Sequence, residues 1–394
     1  MHILQIAGSG FYGSEEMGPV TSDIYNLTRE FIKKGHKVTV IDIKNDIQRS
    51  KLLDEEFIEV DAIPRSVAAL HKKTGKERFF KMWLNEYRFV KAVDTQTKKQ
   101  RFDILMVHEY RTAFLLQLLF RKGLIYICHT WTPASMKRKK LGALYQVIHR
   151  WVVHHSTVTI ALGEYIKDEM GRANVEVIPN GIQVQQFSSM DKKQARALLG
   201  FSESDFIVIC VARIHHIKGI HVLIEAVQKL VGQIPTLRLL LVGSYSGSFN
   251  EREYVSDYTK DMFKKAEGLP VEFMGFVSNQ SQKFQELMSA SDLFVLPSIF
   301  EPQGLVVLEA MAMNLPVIAS DVGGIRQMIT PEVGYLFPLA DADELANRIR
   351  HFYIHPDKIE EMSHHCRRHV ETHFNWESAA EKYLQVLSKV ANHA

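Results

Sequence analysis

Two glutamates stand where a carboxylate is costly unless something binds it. Glu309 interrupts the apolar run LVVLEAMAM (305–313), and an ionised group there must be paired or hold a ligand. Glu301 lies in SIFEPQ (298–303), a loop that follows the buried-strand pattern DLFVLP (292–297). From Gly304 the chain reads as an apolar helix that ends near Asn314, ahead of Pro316. Helix geometry sets Glu309 about 7–8 Å along the axis from Gly304. The backbone N–H groups of Gly304, Leu305 and Val306 have no acceptor in their own helix and form the positive end of its dipole. Such an end suits phosphate. Carboxylates on either side of it fit a ligand with hydroxyls at both ends and phosphates between them, the chemistry of a nucleotide sugar.

A second group of residues points the same way. Arg213 follows the strand pattern FIVICVA (206–212), and Lys218-Gly219 leads into a helix that reaches Val231. Two cations five positions apart, between a strand end and a helix start, suit a diphosphate. Arginine can grip it bidentately while lysine acts as a point charge. Gly243 ends the next strand, 237–242, at the place where the base of a nucleotide would lie. His108 and His129 each end a buried strand, 102–108 and 124–128. Near the start, GSGFYGSEEMGP (8–19) links the strand 2–7 to a helix over about 20–34. Gly8, Gly10 and Gly13 are spaced as G-x-G-x-x-G, but several residues still separate them from the helix, so a nicotinamide fingerprint is not expected. Asp341-Ala342-Asp343 opens a helix after a strand and reads as an N-cap.

The E-x7-E spacing of Glu301 and Glu309 resembles that of retaining glycosyltransferases of family 4, which have the GT-B fold. The text around it, LPS-x-x-E-P-x-G-L-x-x-L-E-A-M-A followed by P-V-I-A-S-D-V-G-G, is similar to the family's usual wording. Arg213…Lys218-Gly219 and Pro179-Asn180-Gly181 match its R-x4-K-G and P-N-G segments, so the resemblance covers nearly the whole chain. It implies an α/β protein of two facing Rossmann-like, doubly wound domains with an interdomain cleft, and a last helix crossing back to the N-terminal domain. The expected limits are 1–185 for the acceptor domain, 186–373 for the donor domain and 374–394 for the returning helix. The resemblance also implies roles. Glu309 would hold the ribose hydroxyls, Glu301 the hydroxyls of the donor sugar, and His129 its 6-position. Arg213 and Lys218, helped by the amides at Gly304, Leu305 and Val306, would neutralise the leaving diphosphate. The acceptor would attack from the same face, with the leaving phosphate taking its proton. No metal and no other cofactor is expected. The chain departs from the family twice: Gly18-Pro19 stands for the usual Gly-Gly, leaving Gly18 as the expected backbone contact, and Gln183 replaces the usual acidic residue.

The elements that must position these groups alternate strand and helix twice over, which implies two parallel sheets. Composition is that of an ordinary globular protein: 46% hydrophobic and 24% charged residues over 394 positions. Three scattered cysteines, Cys128, Cys210 and Cys366, show no metal spacing and suggest a reducing, cytoplasmic compartment. The chain opens directly into a strand, so no signal peptide is expected. Its longest apolar run, AFLLQLLF (113–120), is too short for a bilayer. Charge is uneven: residues 1–185 carry 28 Lys and Arg against 20 Asp and Glu, the remainder 20 against 25. With the basic, aromatic stretch 72–101, this suggests a hydroxyl acceptor that is anionic or lies at the inner face of a membrane, and no nucleic acid. The alternatives are a nucleotide-sugar epimerase or hydrolase on the same fold, and a catalytically silent sugar-nucleotide-binding protein. Product analysis with and without acceptor separates the first. The intact Glu301, Glu309, Arg213 and Lys218 argue against the second.

Overall fold

The computed structural model describes residues 1–8, 19–43, 56–60, 76–121, 123–129, 142–171, 174–245 and 255–392. The chain divides into two compact units, Met1–Asn180 with Trp376–Ala394, and Gly181–Asn375. In the first unit the described strands are β1 (His2–Ile6), β2 (Lys37–Ile43), β3 (Glu56–Val60), β4 (Ile104–Val107), β5 (Ile125–Cys128), β6 (Val158–Ala161) and β7 (Val175–Val177). They form a parallel sheet in the order β3-β2-β1-β4-β5-β6-β7. Helices cover both faces, so the central strands are apolar on both sides. Leu4, Ile6 and Val107 face one layer, Ile3, Val40 and Met106 the other. The order reverses between β1 and β4, and ligands of open α/β sheets bind beyond the strand ends at such a point.

The last helix, Trp376–Ala391, belongs to this first unit. Its Tyr383 is fully buried with its ring centroid 6.3 Å from that of Phe31, and Glu381 pairs with Lys34 at 2.8 Å. Between β2 and β4 lie the edge strand β3, in register with β2, and the helix Lys76–Lys99. Phe89, Val90 and Val93 of that helix are core, whereas Arg88 and Lys91 are exposed. Its described apolar face thus packs inward.

The second unit repeats the plan with β8 (Phe206–Val211), β9 (Leu237–Val242), β10 (Val271–Gly275), β11 (Leu293–Leu296), β12 (Val317–Ser320) and β13 (Gly334–Phe337). The parallel order is β10-β9-β8-β11-β12-β13, and here the reversal lies between β8 and β11. The sequence places the domain limit at 185, but residues 181–185 belong with the second unit. Ile182 and Val184 are buried in its core beside Phe374, and the Ile182 N–H donates to the Phe374 carbonyl at 2.9 Å. Burying two aliphatic side chains outweighs a turn preference at Asn180-Gly181. The returning segment likewise starts at Trp376 rather than 374, because Phe374 is held in that same core. Among the described residues no helix is long and apolar enough to cross a membrane.

Candidate active site

In the second unit the candidate residues converge at the β8–β11 reversal. Arg213 follows β8 and Glu301 follows β11, and these strands are neighbours, with Leu293 opposite Val208. Gly219 makes the close approach possible. Its φ is +65°, and a Cβ there would lie 1.9 Å from the Pro297 carbonyl oxygen. The turn His216–Lys218 therefore docks on the loop after β11, where the Ile299 N–H donates to the Ile217 carbonyl at 2.9 Å. Lys218 Nζ then pairs with Glu301 Oε2, and Ser298 Oγ donates to the same oxygen at 3.2 Å. The Glu301 backbone is fixed from β12: the Gly324 N–H donates to its carbonyl at 3.2 Å, and Ser320 Oγ donates to the Ser298 carbonyl at 2.5 Å. Glu301 is buried, so its charge needs these partners. Burial lowers the pKa of the half-buried Arg213, against the pull of the Glu301 carboxylate.

Beyond this cluster the helix Leu305–Ala312 begins with Gly304 at φ +85° and no side-chain cap. A Cβ at Gly304 would come within 3.1 Å of Glu301 Cγ and 3.3 Å of Ile325 Cγ1. Glycine at 304 thus lets the amide end of the helix start directly beside the carboxylate. On the same helix Val307, Leu308, Ala310 and Met311 are core, and Glu309 lies on the side that keeps some solvent access. Burial pushes its carboxyl pKa up to about 7, opposed by a hydrogen bond from Asn279 Nδ2 at 2.8 Å. Asn279, in the loop after β10, carried no signal in the sequence. Gly243 has a packing reason of its own, since a Cβ there would sit 1.9 Å from the Ala212 carbonyl oxygen. The Asp341-Ala342-Asp343 motif caps a helix, with Asp341 accepting from the Glu344 N–H at 2.9 Å and Asp343 paired with Lys229 at 2.7 Å. Among the described residues no group of three or more His, Cys, Asp and Glu could hold a metal ion.

In the first unit His108 and His129 meet at the ends of the adjacent strands β4 and β5. His108 Nδ1 lies 3.0 Å from His129 Nε2, with the rings stacked. His108 Nε2 faces Gln5 Oε1 at 3.1 Å, and Gln5 Nε2 donates to Thr28 Oγ1 at 2.7 Å. On the other side His129 Nδ1 is 3.3 Å from Asp23 Oδ2, which accepts from Asn180 Nδ2 at 2.6 Å. Both ring nitrogens of His129 thus face groups of the unit's own interior. Gln5, Asp23 and Asn180 had no such role in the sequence. A polar residue on an otherwise buried helix face was the available sign, as Asp23 falls next to Ile24 and one turn before Leu27. Gly18 lies outside the described residues.

Comparison with known proteins adds to this geometry. Residues 191–371 match the model for Glycosyl transferases group 1 and residues 20–186 that for Glycosyltransferase Family 4. A GDP-mannose-dependent monoacylated alpha-(1-6)-phosphatidylinositol monomannoside mannosyltransferase of Corynebacterium glutamicum is 28% identical over 222 residues, 54% of this chain and 55% of that protein. A D-inositol 3-phosphate glycosyltransferase of Rhodococcus erythropolis is 29% identical over 220 residues, 55% of this chain and 49% of that protein. The alignments span about half the length of these relatives. In structure the chain is similar to sucrose-phosphate synthase from Thermosynechococcus elongatus, with a TM-score of 0.78 and 23% identity over the full length of both chains. It is also similar to Anabaena HepE, solved in complex with UDP, with a TM-score of 0.73 and 21% identity over 99% of this chain and 100% of that one. Both likenesses concern the fold.

Proposed function

Because the chain belongs to glycosyltransferase family 4, we propose that it transfers a sugar, with retention, from a nucleoside-diphosphate sugar to a hydroxyl acceptor. The observation that carries this reading is the cluster at the β8–β11 reversal, where a lysine–glutamate pair adjoins an uncapped helix end. Arg213, Lys218 and the first amides of the helix Leu305–Ala312 would meet the diphosphate. As the bond from the anomeric carbon to the phosphate oxygen breaks, negative charge grows on that oxygen, and fixed cations stabilise it without reorganising. The acceptor oxygen bonds to the same face of the sugar and its proton passes to the leaving phosphate. Glu301 takes hydroxyls of the donor sugar, Glu309 takes the ribose hydroxyls, and His129 is assigned the sugar 6-position. Two protein cations carry the charge role that a metal ion has elsewhere, so the reaction proceeds without metal. A two-carboxylate hydrolysis does not suit the site: Glu301 beside the helix start and Glu309 a turn along it are spread along the ligand rather than across one bond.

The test is a thermal-shift panel of UDP-, GDP- and ADP-linked sugars in EDTA, since a ligand that binds the folded state raises apparent stability by mass action. One donor should stabilise the protein in the chelator, and its turnover should survive EDTA. Abolition by EDTA with rescue by Mg²⁺ or Mn²⁺ would refute the metal-free mechanism. The same panel reads Glu309. Its carboxyl is mostly protonated below its pKa of about 7, and the ionised form accepts ribose hydroxyls with both oxygens whereas the protonated form has turned one into a donor. Affinity for the nucleoside should therefore rise as pH goes from 6 to 8, and this slope should vanish in Glu309→Gln.

Exposed Arg88 and Lys91, with the excess of basic residues over 1–185, support an acceptor that is anionic or held at an anionic membrane surface, reached from the cytoplasm. Near such a surface each cation contributes about 1 kcal/mol. Arg88→Glu with Lys91→Glu should reduce co-sedimentation with anionic vesicles at low salt about tenfold or more, leaving donor binding intact. Wild-type protein that stays in the supernatant would remove the membrane and leave a soluble acceptor.

A further inference from the structure

The polar chain inside the first unit has an order of its own. Gln5 donates through Nε2 to Thr28 Oγ1, so its Oε1 is turned to His108 Nε2 and can only accept. His108 Nε2 therefore carries a hydrogen. Burial holds the His108 pKa well below the ordinary range, which leaves a single ring hydrogen and a bare Nδ1. That Nδ1 accepts from His129 Nε2 at 3.0 Å. The remaining nitrogen, His129 Nδ1, then faces Asp23 Oδ2 at 3.3 Å. They form a close ion contact that is not aligned as a hydrogen bond. Asp23 itself is held by Asn180 Nδ2 at 2.6 Å, across 157 residues of sequence. Burial raises the Asp23 pKa, while His129 and Asn180 pull it back. Among the described residues the phenol of Tyr383, on the last helix, also lies near Asp23, and burial keeps it neutral.

We propose that Asp23 is a positioning residue, fixing the imidazole of His129 through Nδ1 while His108 fixes it through Nε2. The inference rests on the reading above that His129 serves the donor sugar. It adds that the ring does so from a fixed orientation, with both nitrogens occupied from within the first unit. Hence the part of His129 offered to a ligand is its ring edge and backbone, not a free nitrogen. A helix residue on the far side of the ring decides that orientation. Asparagine can keep it, because its Oδ1 in the place of Asp23 Oδ2 still accepts from Asn180 Nδ2 and stays against His129 Nδ1. Alanine cannot.

The experiment uses the full chain and two readouts. In ligand-free protein, ¹⁵N-resolved spectra follow the His129 ring, assigned with His129→Gln as the blank. The hydrogen-bonded ring signature should be lost in Asp23→Ala and retained in Asp23→Asn. With the donor chosen by the panel, Asp23→Ala should lower kcat about ten- to hundredfold, the scale of a displaced reacting group, and Asp23→Asn should restore most of it. Gln117→Ala serves as the control for lost buried polarity, since Gln117 is buried in the same unit and donates to Ser156 Oγ at 3.0 Å. Ring signals in Asp23→Ala that stay where wild type has them overturn the proposal, as does a loss of turnover no larger than that of Gln117→Ala. Displaced ring signals with unchanged turnover overturn the link to catalysis, and with it the donor-sugar role of His129. The diphosphate site of the second unit is untouched by either result.

Discussion

Replacing Arg213 and Lys218 together by alanine should weaken binding of the nucleoside diphosphate by about a hundredfold or more and leave the nucleoside almost unaffected. Each cation is expected to make one or more charge-assisted bonds to phosphate, worth roughly 1.5–3 kcal/mol apiece. Two such losses come to about 3–6 kcal/mol, and about 1.4 kcal/mol is tenfold. The lower part of that range is the better expectation, because Lys218 already holds Glu301 and gives up part of that pair on meeting phosphate. In the proposed reading the nucleoside is held by Glu309 and the strand ends near Gly243, which the double variant leaves alone. Removing Lys218 also strands a buried carboxylate, so Lys218→Met with Glu301→Gln, which removes both charges and keeps their volume, is the companion variant. Calorimetry with nucleoside and nucleoside diphosphate on the same protein separates the cases. A diphosphate that binds the double variant as well as wild type removes these residues from the site.

The second large effect has two signs. Glu301→Gln should bind the free diphosphate about three- to tenfold more tightly, yet turn over the nucleotide sugar about a hundredfold more slowly. In the ligand-free protein Lys218 is neutralised by Glu301, and the same oxygen accepts from Ser298. A diphosphate must draw Lys218 partly away, against a pair with little solvent around it. The amide keeps the shape and the Ser298 contact but gives up the charge, so Lys218 turns to phosphate at lower cost. In a pair this buried the attraction lost and the desolvation relieved largely offset each other, which keeps the gain modest. The loss of turnover has another origin. A carboxylate accepts sugar hydroxyls more strongly than an amide does, and in the proposed reaction it would stand near the positive charge that develops on the sugar ring as the diphosphate leaves. Weaker diphosphate binding in Glu301→Gln would show that Lys218 does not serve the phosphates. Tighter binding with unchanged turnover would take Glu301 out of the reaction.

The sequence by itself determined what is local. Glu301 in a loop, an uncapped helix start at Gly304 and Glu309 one turn on follow from hydrophobic patterning and the helix repeat alone. The structure keeps that arrangement, with the helix at Leu305–Ala312. The strands Phe206–Val211 and Leu237–Val242 were equally legible, because an apolar run bounded by turn residues has one stable use inside a sheet covered on both faces. Alternating strands and helices carried the doubly wound plan. The edge strand Glu56–Val60 escaped, since Glu56, Glu59 and one paired side leave it without that apolar signature.

Tertiary structure decided what meets across the chain. Nothing between residues 218 and 301 announces that Lys218 pairs with Glu301. The pairing exists because the order of strands reverses between β8 and β11, which lays the two exit loops side by side. The domain limit moved from 185 to 180 because Ile182 and Val184 found a core beside Phe374, nearly two hundred residues away. Asp23, His129 and Asn180 likewise carry ordinary local signals, a helix interior, a strand end and a turn. Only the packing of the helix Pro19–Lys33 against β1 and β5 brings them together. Local patterns arise from neighbours in the chain and survive reading one segment at a time. Contacts between distant segments are set by which faces must be buried against each other, and that is settled only when the whole sheet forms.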